Sequence, residues 1–407
     1  MLIAERRRWF AKRFAALVVI FAAAAAAFDL AVDPYRVFGS PEVVGVNATK
    51  PRPDVMVADI KSILGRRINP TALILGNSRA EIGFDPQHPA FRLRGLRAFN
   101  AAVPGSGTDY AVAAFAFFSA QRQLRLAVVG VDFLDFLVAP GQSPAGNPIP
   151  EPGSAAATIR TGVLAALSMP ALRDSVKTLA IANQQNPATL RADGFNPLLD
   201  YRDIAARDGY STLFSERAQK AALLLARQPH NLSGGSHVDS APYAEVRRML
   251  RLARESNADV RLVIYPYHLL LMLQIDEAGL WPLLERWKMD LTTIAEEARR
   301  EGTRVAVWDF ACPDDLTAEP IPADGDRRTS MRWYWEAGHF KKELGDRVLS
   351  KVLGDSGLDA SMDFGVELDS ENVGDRIQSC RRRLQEMRTR HPDMARVAAS
   401  LHRATQP

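Results

Sequence analysis

The residue types around Ser78 are those of a nucleophile site at the edge of a sheet. Residues 73–79 read LILGNSR, so an apolar run passes through a glycine into polar residues. This pattern predicts a buried strand, a tight turn and the start of a helix. A serine there lies at the carboxyl edge of the sheet, where open α/β folds bind their ligands. Ser78 is therefore a candidate nucleophile, although a serine in this position can also serve only as a helix cap.

A second candidate group lies near the end of the chain, where Glu336 precedes His339 by three residues. A serine nucleophile needs a base that takes its proton and a group that orients this base. On a turn or short helix, side chains three residues apart share a face. Glu336 can then hold one ring nitrogen of His339 while the other nitrogen faces Ser78. The simpler alternative is a surface histidine beside a surface glutamate.

Two further side chains are candidates at the same edge of the sheet. His268 follows a predicted strand and could line the pocket or replace His339 as the base, or it could be a packed core side chain. Arg79 follows the candidate nucleophile and could bind a carboxylate or a sugar acid through two hydrogen bonds. Its alternative role is an ion pair at the start of a helix, with Glu81 or an acidic loop.

Composition and motifs exclude several classes of protein. The 407 residues carry a formal net charge of +4, but the basic excess is concentrated near the two ends of the chain. No basic groove is implied, so nucleic acid is not an expected partner. The sequence has no phosphate loop, dinucleotide fingerprint or zinc-ligand spacing, so we expect neither a cofactor nor a metal ion. Cys312 and Cys380 could form one disulfide in an oxidising compartment or remain free thiols.

The N-terminus has the pattern of a membrane-targeting segment. Five basic residues within 6–13 precede an unbroken apolar stretch at 14–28. Such a segment is a signal anchor or a cleaved secretory signal, and we predict an anchor, a transmembrane helix over residues 1–32. The remaining alternative is a buried helix of a soluble protein. Because the basic flank stays in the cytoplasm, the anchor predicts a single-pass inner-membrane protein whose main domain lies in the periplasm.

Apolar strand-like runs and helical segments alternate through the rest of the chain. Strands are predicted at 71–75, 98–103, 126–133, 260–265 and 304–308, helices at 110–123 and 281–300, and irregular structure at 80–97. Such alternation predicts an α/β domain with a parallel sheet that helices cover on both faces.

Four segments follow from this alternation. Residues 1–32 are the anchor, and we assign 33–69 to an extended connector. Residues 70–355 form the α/β domain, with a long helical insertion at about 139–258 that we interpret as a lid or subdomain. For residues 356–407 we predict a helical, basic tail that lies on the surface of the domain or on anionic lipid.

The order of the motifs resembles that of the SGNH/GDSL hydrolases. The four blocks of that family correspond, in chain order, to residues 76–78 (GNS), Gly105, residues 130–132 (GVD) and the pair Glu336 and His339. The resemblance implies a flavodoxin-like, SGNH-type fold. It also implies that the serine is the nucleophile, His339 the base and Glu336 its orienter. Backbone N–H groups of the serine and of Gly105 would form the oxyanion hole.

Two longer stretches, FNAAVPG at 99–105 and VDFLDF at 131–136, are similar to membrane-anchored periplasmic SGNH-like proteins. Relatives of that type include the O-acetylation proteins of alginate and other envelope polymers, and the resemblance covers roughly residues 70–349 without the insertion. It implies a serine-dependent O-acyl esterase or O-acetyltransferase that acts on an envelope or exported polysaccharide. A multi-span membrane acyltransferase is a further partner of such a protein. A hydrolase of small esters is an alternative.

Three positions depart from the family pattern. Asn77 and Glu336 each replace an aspartate, and Asp132 stands where an asparagine usually donates to the oxyanion. An ionised carboxylate cannot donate a hydrogen bond. Asp132 therefore favours a further alternative, a catalytically silent protein that binds glycan or scaffolds a polymer export or modification complex. Asn100, just before the Gly105 turn, could supply the missing amide.

Overall fold

The computed structural model describes residues 2–120, 124–138, 153–227, 231–232, 240–354 and 364–405. Side chains are described from residue 5 onward. Parts of three predicted segments lie outside the described residues: the end of the helix at 110–123, the first part of the insertion (139–152) and the first part of the tail (356–363).

Helices occur in every part of the described chain. They are α1 (Leu2–Val32), α2 (Val57–Ile68), α3 (Ser78–Gly83), α4 (Pro89–Leu93), α5 (Thr108–Ser119), α6 (Ala155–Leu167), α7 (Met169–Ile181), α8 (Asp200–Asp208), α9 (Tyr210–Arg227), α10 (Ala241–Ser256), α11 (Leu269–Glu277), α12 (Trp281–Arg300), α13 (Lys342–Leu353), α14 (Val373–Arg390) and α15 (Pro392–Thr405). The helix predicted at 281–300 is present as α12 with the same bounds.

Six strands form one mostly parallel sheet. The strands of the chain are β1 (Ala72–Leu75), β2 (Ala98–Asn100), β3 (Leu126–Val131), β4 (Asp259–Ile264), β5 (Val305–Asp309), β6 (Tyr334–Glu336), β7 (His339–Phe340) and β8 (Val366–Leu368). In the sheet the order is β2-β1-β3-β4-β5-β8, where the first five strands are parallel and β8 is antiparallel to β5. The five predicted strands and their parallel arrangement are therefore confirmed. β6 and β7 pair separately as an antiparallel hairpin.

The central strands are buried on both faces. Every residue of β1 and β3 is buried, and their side chains belong to one continuous hydrophobic core. Strands of this kind are typical of parallel sheets that helices cover on both sides. The carboxyl ends of β1, β3 and β4 lie side by side because these strands are parallel neighbours. This edge carries Ser78, Asp132 and His268.

Two predicted irregular segments contain helices. Residues 80–97 include α3 and α4, which are 6 and 5 residues long. Helices this short do not show an apolar period of 3.6 residues. The connector at 33–69 ends in α2, whose Ile60 and Leu64 enter the core. Before α2 the connector is a series of turns and bends with an isolated bridge between Pro51 and Thr189, so the prediction of an extended segment over 33–69 is wrong.

The described part of the predicted helical tail at 356–407 contains the helices α14 and α15, and it also contains β8, which the sequence did not predict. β8 completes the sheet, and α14 packs over the end of β5. Beneath α14, the buried Asp309 carboxylate pairs with Lys288 Nζ at 2.9 Å and with Arg376 Nε at 3.0 Å. The sequence did not reveal β8 because it is three residues long with a central Glu367.

The N-terminal helix has the exposure of a membrane anchor. Glu5–Val32 is long and apolar enough to span a bilayer, and most of this segment is not buried in the domain. Its apolar side chains, such as Phe14 and Ile20, point outward, which disagrees with a core helix of a soluble protein. The C-terminal end of α1 is fixed to the domain, because the Asp29 carboxylate accepts a hydrogen bond from the Ser175 hydroxyl at 2.7 Å.

A disulfide joins Cys312, in the segment after β5, to Cys380 of α14, so α14 is covalently linked to the segment that follows this strand. Replacing both cysteines by serine should lower the free energy of unfolding by about 2–4 kcal/mol, because the bridge restricts the unfolded chain over a long loop. Denaturation of the detergent-solubilised protein measures this loss. Maleimide labelling after denaturation without reductant is the control: the wild type should take up no label, and two labels per chain would contradict the bridge.

Candidate active site

A tight turn places Ser78 at the carboxyl end of β1. Gly76 adopts a φ of +134°, and a Cβ at this position would overlap the Tyr265 hydroxyl. Only glycine fits this combination of backbone angle and close packing. Asn77 then acts as the N-cap of α3, because its side-chain oxygen accepts the N–H of Arg79 at 3.1 Å. Ser78 is consequently the first residue of α3 and lines a cleft.

Ser78, His339 and Glu336 form a continuous chain of contacts. The Ser78 Oγ and His339 Nε2 atoms are 2.7 Å apart. On the other side of the ring, His339 Nδ1 contacts Oε1 of Glu336. Because a carboxylate only accepts, the Nδ1 proton points to Glu336 and Nε2 is left to accept the hydroxyl proton of Ser78. This is the arrangement that activates a serine nucleophile.

A β-hairpin, not a helical turn, brings Glu336 and His339 together. Glu336 ends β6 and is paired directly with His339, the first residue of β7. Ala337 and Gly338 form the two-residue connection, and the Gly338 N–H donates to the Glu336 carboxylate. The contact predicted from a three-residue spacing is therefore made across two strands.

The electrostatics of Glu336 favour an ionised carboxylate. Burial by itself would raise the pKa of Glu336, but the His339 charge and hydrogen bond, Arg217 and the Gly338 N–H together lower it to about 2. The Arg217 Nε atom lies 3.5 Å from the carboxylate. At neutral pH Glu336 is thus negative and can stabilise the imidazolium that forms when His339 takes a proton.

Two residues of the cleft carry backbone N–H groups that are candidate oxyanion donors. Ser78 and Gly105 both line it. The Gly105 turn is tied to the end of β1, since the carbonyl of Gly76 accepts the Val103 N–H at 3.1 Å and the Ser106 hydroxyl at 3.3 Å. Within the described part of the chain, neither the N–H of Ser78 nor that of Gly105 donates to another group. Groups of this kind stabilise the negative charge of a tetrahedral intermediate.

Asn100 is a structural side chain and not the additional oxyanion donor that we predicted. It is fully buried. Its Nδ2 donates to the carbonyls of Ala80 and Phe84, both at 2.9 Å, and its Oδ1 accepts the Ala102 N–H at 3.0 Å. Both hydrogens of its Nδ2 are therefore used to hold the end of α3 against β2, and neither is left for an oxyanion.

Asp132 and Arg79 do not line the cleft. Arg79 has the second of its two predicted roles, an ion pair at the start of the helix, but its partner is Asp132 and not Glu81. The buried Asp132 carboxylate accepts hydrogen bonds from Asn77 Nδ2 at 2.9 Å and from the Tyr267 hydroxyl at 2.8 Å, and it pairs with the Arg79 guanidinium. The guanidinium also lies over the rings of Tyr265 and Tyr267. A buried charge needs a partner, and these two residues satisfy each other rather than an oxyanion or a substrate.

His268 is a packed core side chain, so it is not the alternative base. It is fully buried between the rings of Phe214 and Tyr334, at 4.9 and 4.8 Å between ring centres. Its Nε2 donates to the Glu319 carbonyl at 2.9 Å, and its Nδ1 caps α11 by accepting the Leu270 N–H at 3.2 Å. Burial lowers the pKa of His268 to about 4.

The cleft contains side chains that the sequence did not single out. Its volume is about 570 Å³, and around Ser78 and His339 it is lined by Arg52 of the connector and by Asn196, Tyr201 and Arg217 of the insertion. These residues belong to no motif, so no spacing pointed to them. The predicted insertion does reach the site, and it supplies much of one wall.

A buried ion pair fixes the floor of the cleft. Lys61 of α2 pairs with Glu81 of α3 at 2.8 Å, and the other Glu81 oxygen accepts the Asn196 side-chain N–H at 3.1 Å. Burial lowers the pKa of Lys61, whereas attraction to Glu81 acts in the opposite direction. The connector, the helix that carries Ser78 and the insertion are therefore joined at one point.

Comparison of the chain with protein-family models and with curated proteins finds no match. The chemistry of the cleft is therefore inferred from its own contacts: a serine hydroxyl, an oriented imidazole, an ionised carboxylate and two backbone N–H groups.

The position of Asp132 predicts that Asp132→Asn is harmful rather than activating. The substitution leaves the Arg79 charge buried without a compensating charge, which should lower the free energy of unfolding by about 3–5 kcal/mol. The double variant Asp132→Asn/Arg79→Met removes both charges, so it should lose less than the sum of the single variants. Denaturation of the four proteins measures this coupling. Additive losses would contradict the buried pair.

The surroundings of His268 predict a pH dependence of stability. Its pKa in the folded protein, about 4, lies below the ordinary value of 6.5. The unfolded chain therefore binds the proton first, so the stabilisation is complete above pH 6.5 and is lost as the pH falls towards 4. The variant His268→Asn keeps a capping side chain. Between pH 7 and pH 4.5 its free energy of unfolding should fall by about 2–3 kcal/mol less than that of the wild type.

Unfolding curves at the two pH values measure the difference between His268→Asn and the wild type. Labelling by a serine-reactive phosphonate is the second measurement, and it should be unchanged because His268 does not contact Ser78. Loss of labelling in a folded variant would restore His268 as a candidate base.

Proposed function

We propose that this protein is a serine-dependent O-acyl esterase or O-acetyltransferase of the SGNH hydrolase type that acts on an envelope or exported polysaccharide. The observation that carries the proposal is the chain of contacts from Ser78 Oγ through His339 to Glu336, with 2.7 Å between Oγ and Nε2. If Ser78 were only a helix cap and His339 only a surface histidine, these contacts would not be required.

In the proposed reaction, Ser78 Oγ attacks the carbonyl carbon of the ester while His339 Nε2 takes its proton. The carbonyl oxygen becomes an oxyanion that the N–H groups of Ser78 and Gly105 stabilise. Collapse of this intermediate breaks the ester bond, and His339 gives its proton to the departing alkoxide. Water or a sugar hydroxyl then attacks the acyl-serine while His339 takes its proton. The bond between Ser78 Oγ and the acyl carbon breaks, His339 returns the proton to Oγ, and an acid or a new ester is released.

The architecture supports this assignment. The parallel strands follow the order β2-β1-β3-β4-β5, which is the order of flavodoxin-like sheets, and the site lies at their carboxyl edge. Function is argued from the site because one fold serves many reactions. The cleft suits a polar polymer, since Tyr201 brings an aromatic ring, and Arg52 and Arg217 bring guanidinium donors.

A location outside the cytoplasm is part of the proposal. The N-terminal helix is long and apolar enough to be a single-pass anchor, and its basic flank favours a cytoplasmic N-terminus. The disulfide between Cys312 and Cys380 fits an oxidising compartment such as the periplasm. A multi-span membrane acyltransferase is a suitable partner there, because transfer to a polymer in the periplasm needs an acyl donor delivered across the membrane.

The catalytically silent alternative loses its main support. It rested on a carboxylate, Asp132, in the oxyanion position. Because that carboxylate is occupied by Asn77, Arg79 and Tyr267 beneath the cleft, it does not repel an oxyanion there. Three differences from the family pattern remain: Asp132 supplies no third donor in place of the usual asparagine, and Asn77 and Glu336 each replace an aspartate.

Substitution of the three residues tests the proposal. Ser78→Ala should abolish labelling by a fluorophosphonate, and His339→Ala should slow it by about three orders of magnitude or more, because members of a triad act as a unit. Glu336→Gln should cost less than His339→Ala, since glutamine keeps a hydrogen bond but loses the charge.

Ser256→Ala is the matched control, because Ser256 lies at the end of α10 and its hydroxyl donates to the Leu252 carbonyl. Labelling rates of the full-length proteins in detergent give the comparison. In cells, the acyl content of the exported polymer should fall in Ser78→Ala but not in Ser256→Ala. Full acylation of the polymer in cells whose only copy of the protein carries Ser78→Ala would contradict catalysis by Ser78 and favour the scaffold alternative.

A further inference from the structure

The outer face of α6 and its junction with α7 is apolar although it is exposed. The side chains that face the domain are small: Ala157, Thr161 and Ala165. Large apolar side chains face outward, and the exposed fractions are 68% for Ile159, 61% for Leu167 and 74% for Met169. Val163 and Leu164 belong to the same face. Contiguous patches of this kind mark interaction sites.

We propose that the α6–α7 elbow, residues 155–169, inserts into the membrane leaflet beside the C-terminal end of α1. The domain would then lie on the bilayer in addition to being anchored in it. Both α6 and α7 contact α1. Hydrogen bonds fix this contact: the Ser175 hydroxyl donates to Asp29 at 2.7 Å, and the Tyr35 hydroxyl donates to Asp174 at 2.8 Å. The apolar face of the elbow therefore continues the apolar surface of the spanning helix.

The elbow enters only one leaflet and does not cross the membrane a second time. α6 and α7 are 13 residues each and bend by 62° between them. A helix of that length measures about 20 Å, which is shorter than the hydrocarbon core of about 30 Å. Arg173 and Lys177 lie in the middle of α7, where they would reach the headgroups while the bend enters the acyl region. Interfacial helices are buried by about 5–10 Å in this manner.

Lipid is a better occupant of this face than a second protein. A bilayer surrounds α1 and is therefore always adjacent to the elbow, whereas a second copy would need a complementary apolar surface. The polar side chains next to the elbow turn towards the domain instead: Arg160 pairs with Asp59 at 2.8 Å, and Arg66 donates to the Gly153 carbonyl. Arg160 is nevertheless 56% exposed, so the outward contact of α6 combines this guanidinium, at the level of the headgroups, with the apolar side chains of Ile159, Val163 and Leu167.

The elbow is linked to the rim of the cleft. Arg173 of α7 pairs with Asp54 at 3.1 Å, and Asp54 and Val57 line the cleft that contains Ser78. Docking of the elbow would hold this rim close to the headgroups. It follows, if the proposed function holds, that the cleft takes its polymer or its acyl donor at the membrane surface rather than from the bulk solution.

Fluorescence quenching in vesicles tests the insertion. Leu167→Cys, Met169→Cys and, as the matched control, Leu223→Cys are made in the full-length protein, whose own cysteines are bridged. Leu223 is a leucine with 49% exposure on α9, which packs against α11 and α15. Each variant is labelled with an environment-sensitive maleimide dye and reconstituted into phosphatidylethanolamine–phosphatidylglycerol vesicles. Nitroxide-bearing lipids report contact with acyl chains, and iodide reports contact with water.

At Leu167 and Met169 we expect several-fold stronger quenching by nitroxide lipid and several-fold weaker quenching by iodide than at Leu223. Quenching at the elbow that equals the Leu223 control with both agents would overturn the proposal. Protection from both agents would also overturn it, because a second copy would then cover the face. No activity enters the measurement, so its outcome is independent of whether Ser78 is a nucleophile.

Discussion

The buried carboxylate of Asp132 holds together the segment that carries Ser78. It accepts hydrogen bonds from Asn77 on one side of the serine, pairs with Arg79 on the other, and receives the Tyr267 hydroxyl from the end of the neighbouring strand. The turn before Ser78 and the first turn of α3 are therefore attached to β3 and β4 through one anion. Because the group is buried, each of these contacts is strong and each is costly to lose.

The base reaches this segment through close packing rather than through charge. The ring of Phe340, next to His339, lies 5.4 Å from the ring of Phe84, and a Cβ on Gly83 would overlap it. The hairpin that carries Glu336 and His339 is thereby pressed against α3. Two segments 261 residues apart in the chain are placed within hydrogen-bond distance because one core includes both.

Buried ion pairs fix three parts of the domain. They are Lys61 with Glu81 at the connector, Arg79 with Asp132 at the site, and Lys288 and Arg376 with Asp309 at the C-terminal helices. Apolar contacts are non-directional, whereas a buried charge accepts only a partner in the right place. This is a physical reason why the connector and the last helices adopt one position on the domain.

The sequence by itself determined the features that depend on local pattern. Apolar runs predicted the five parallel strands, the basic flank and alanine-rich run predicted the N-terminal helix, and spacing selected Ser78, Glu336 and His339. It placed Asn100, Arg79, Asp132 and His268 at the correct edge of the sheet but could not distinguish a side chain that faces the cleft from one that faces the core. That difference depends on partners distant in the chain, such as Tyr267 for Asp132 and Glu319 for His268. Only the tertiary structure decided these roles, the choice of the disulfide over free thiols and the place of β8 in the sheet, because hydrogen bonds, ion pairs and bridges between distant segments leave no periodic signal in either segment.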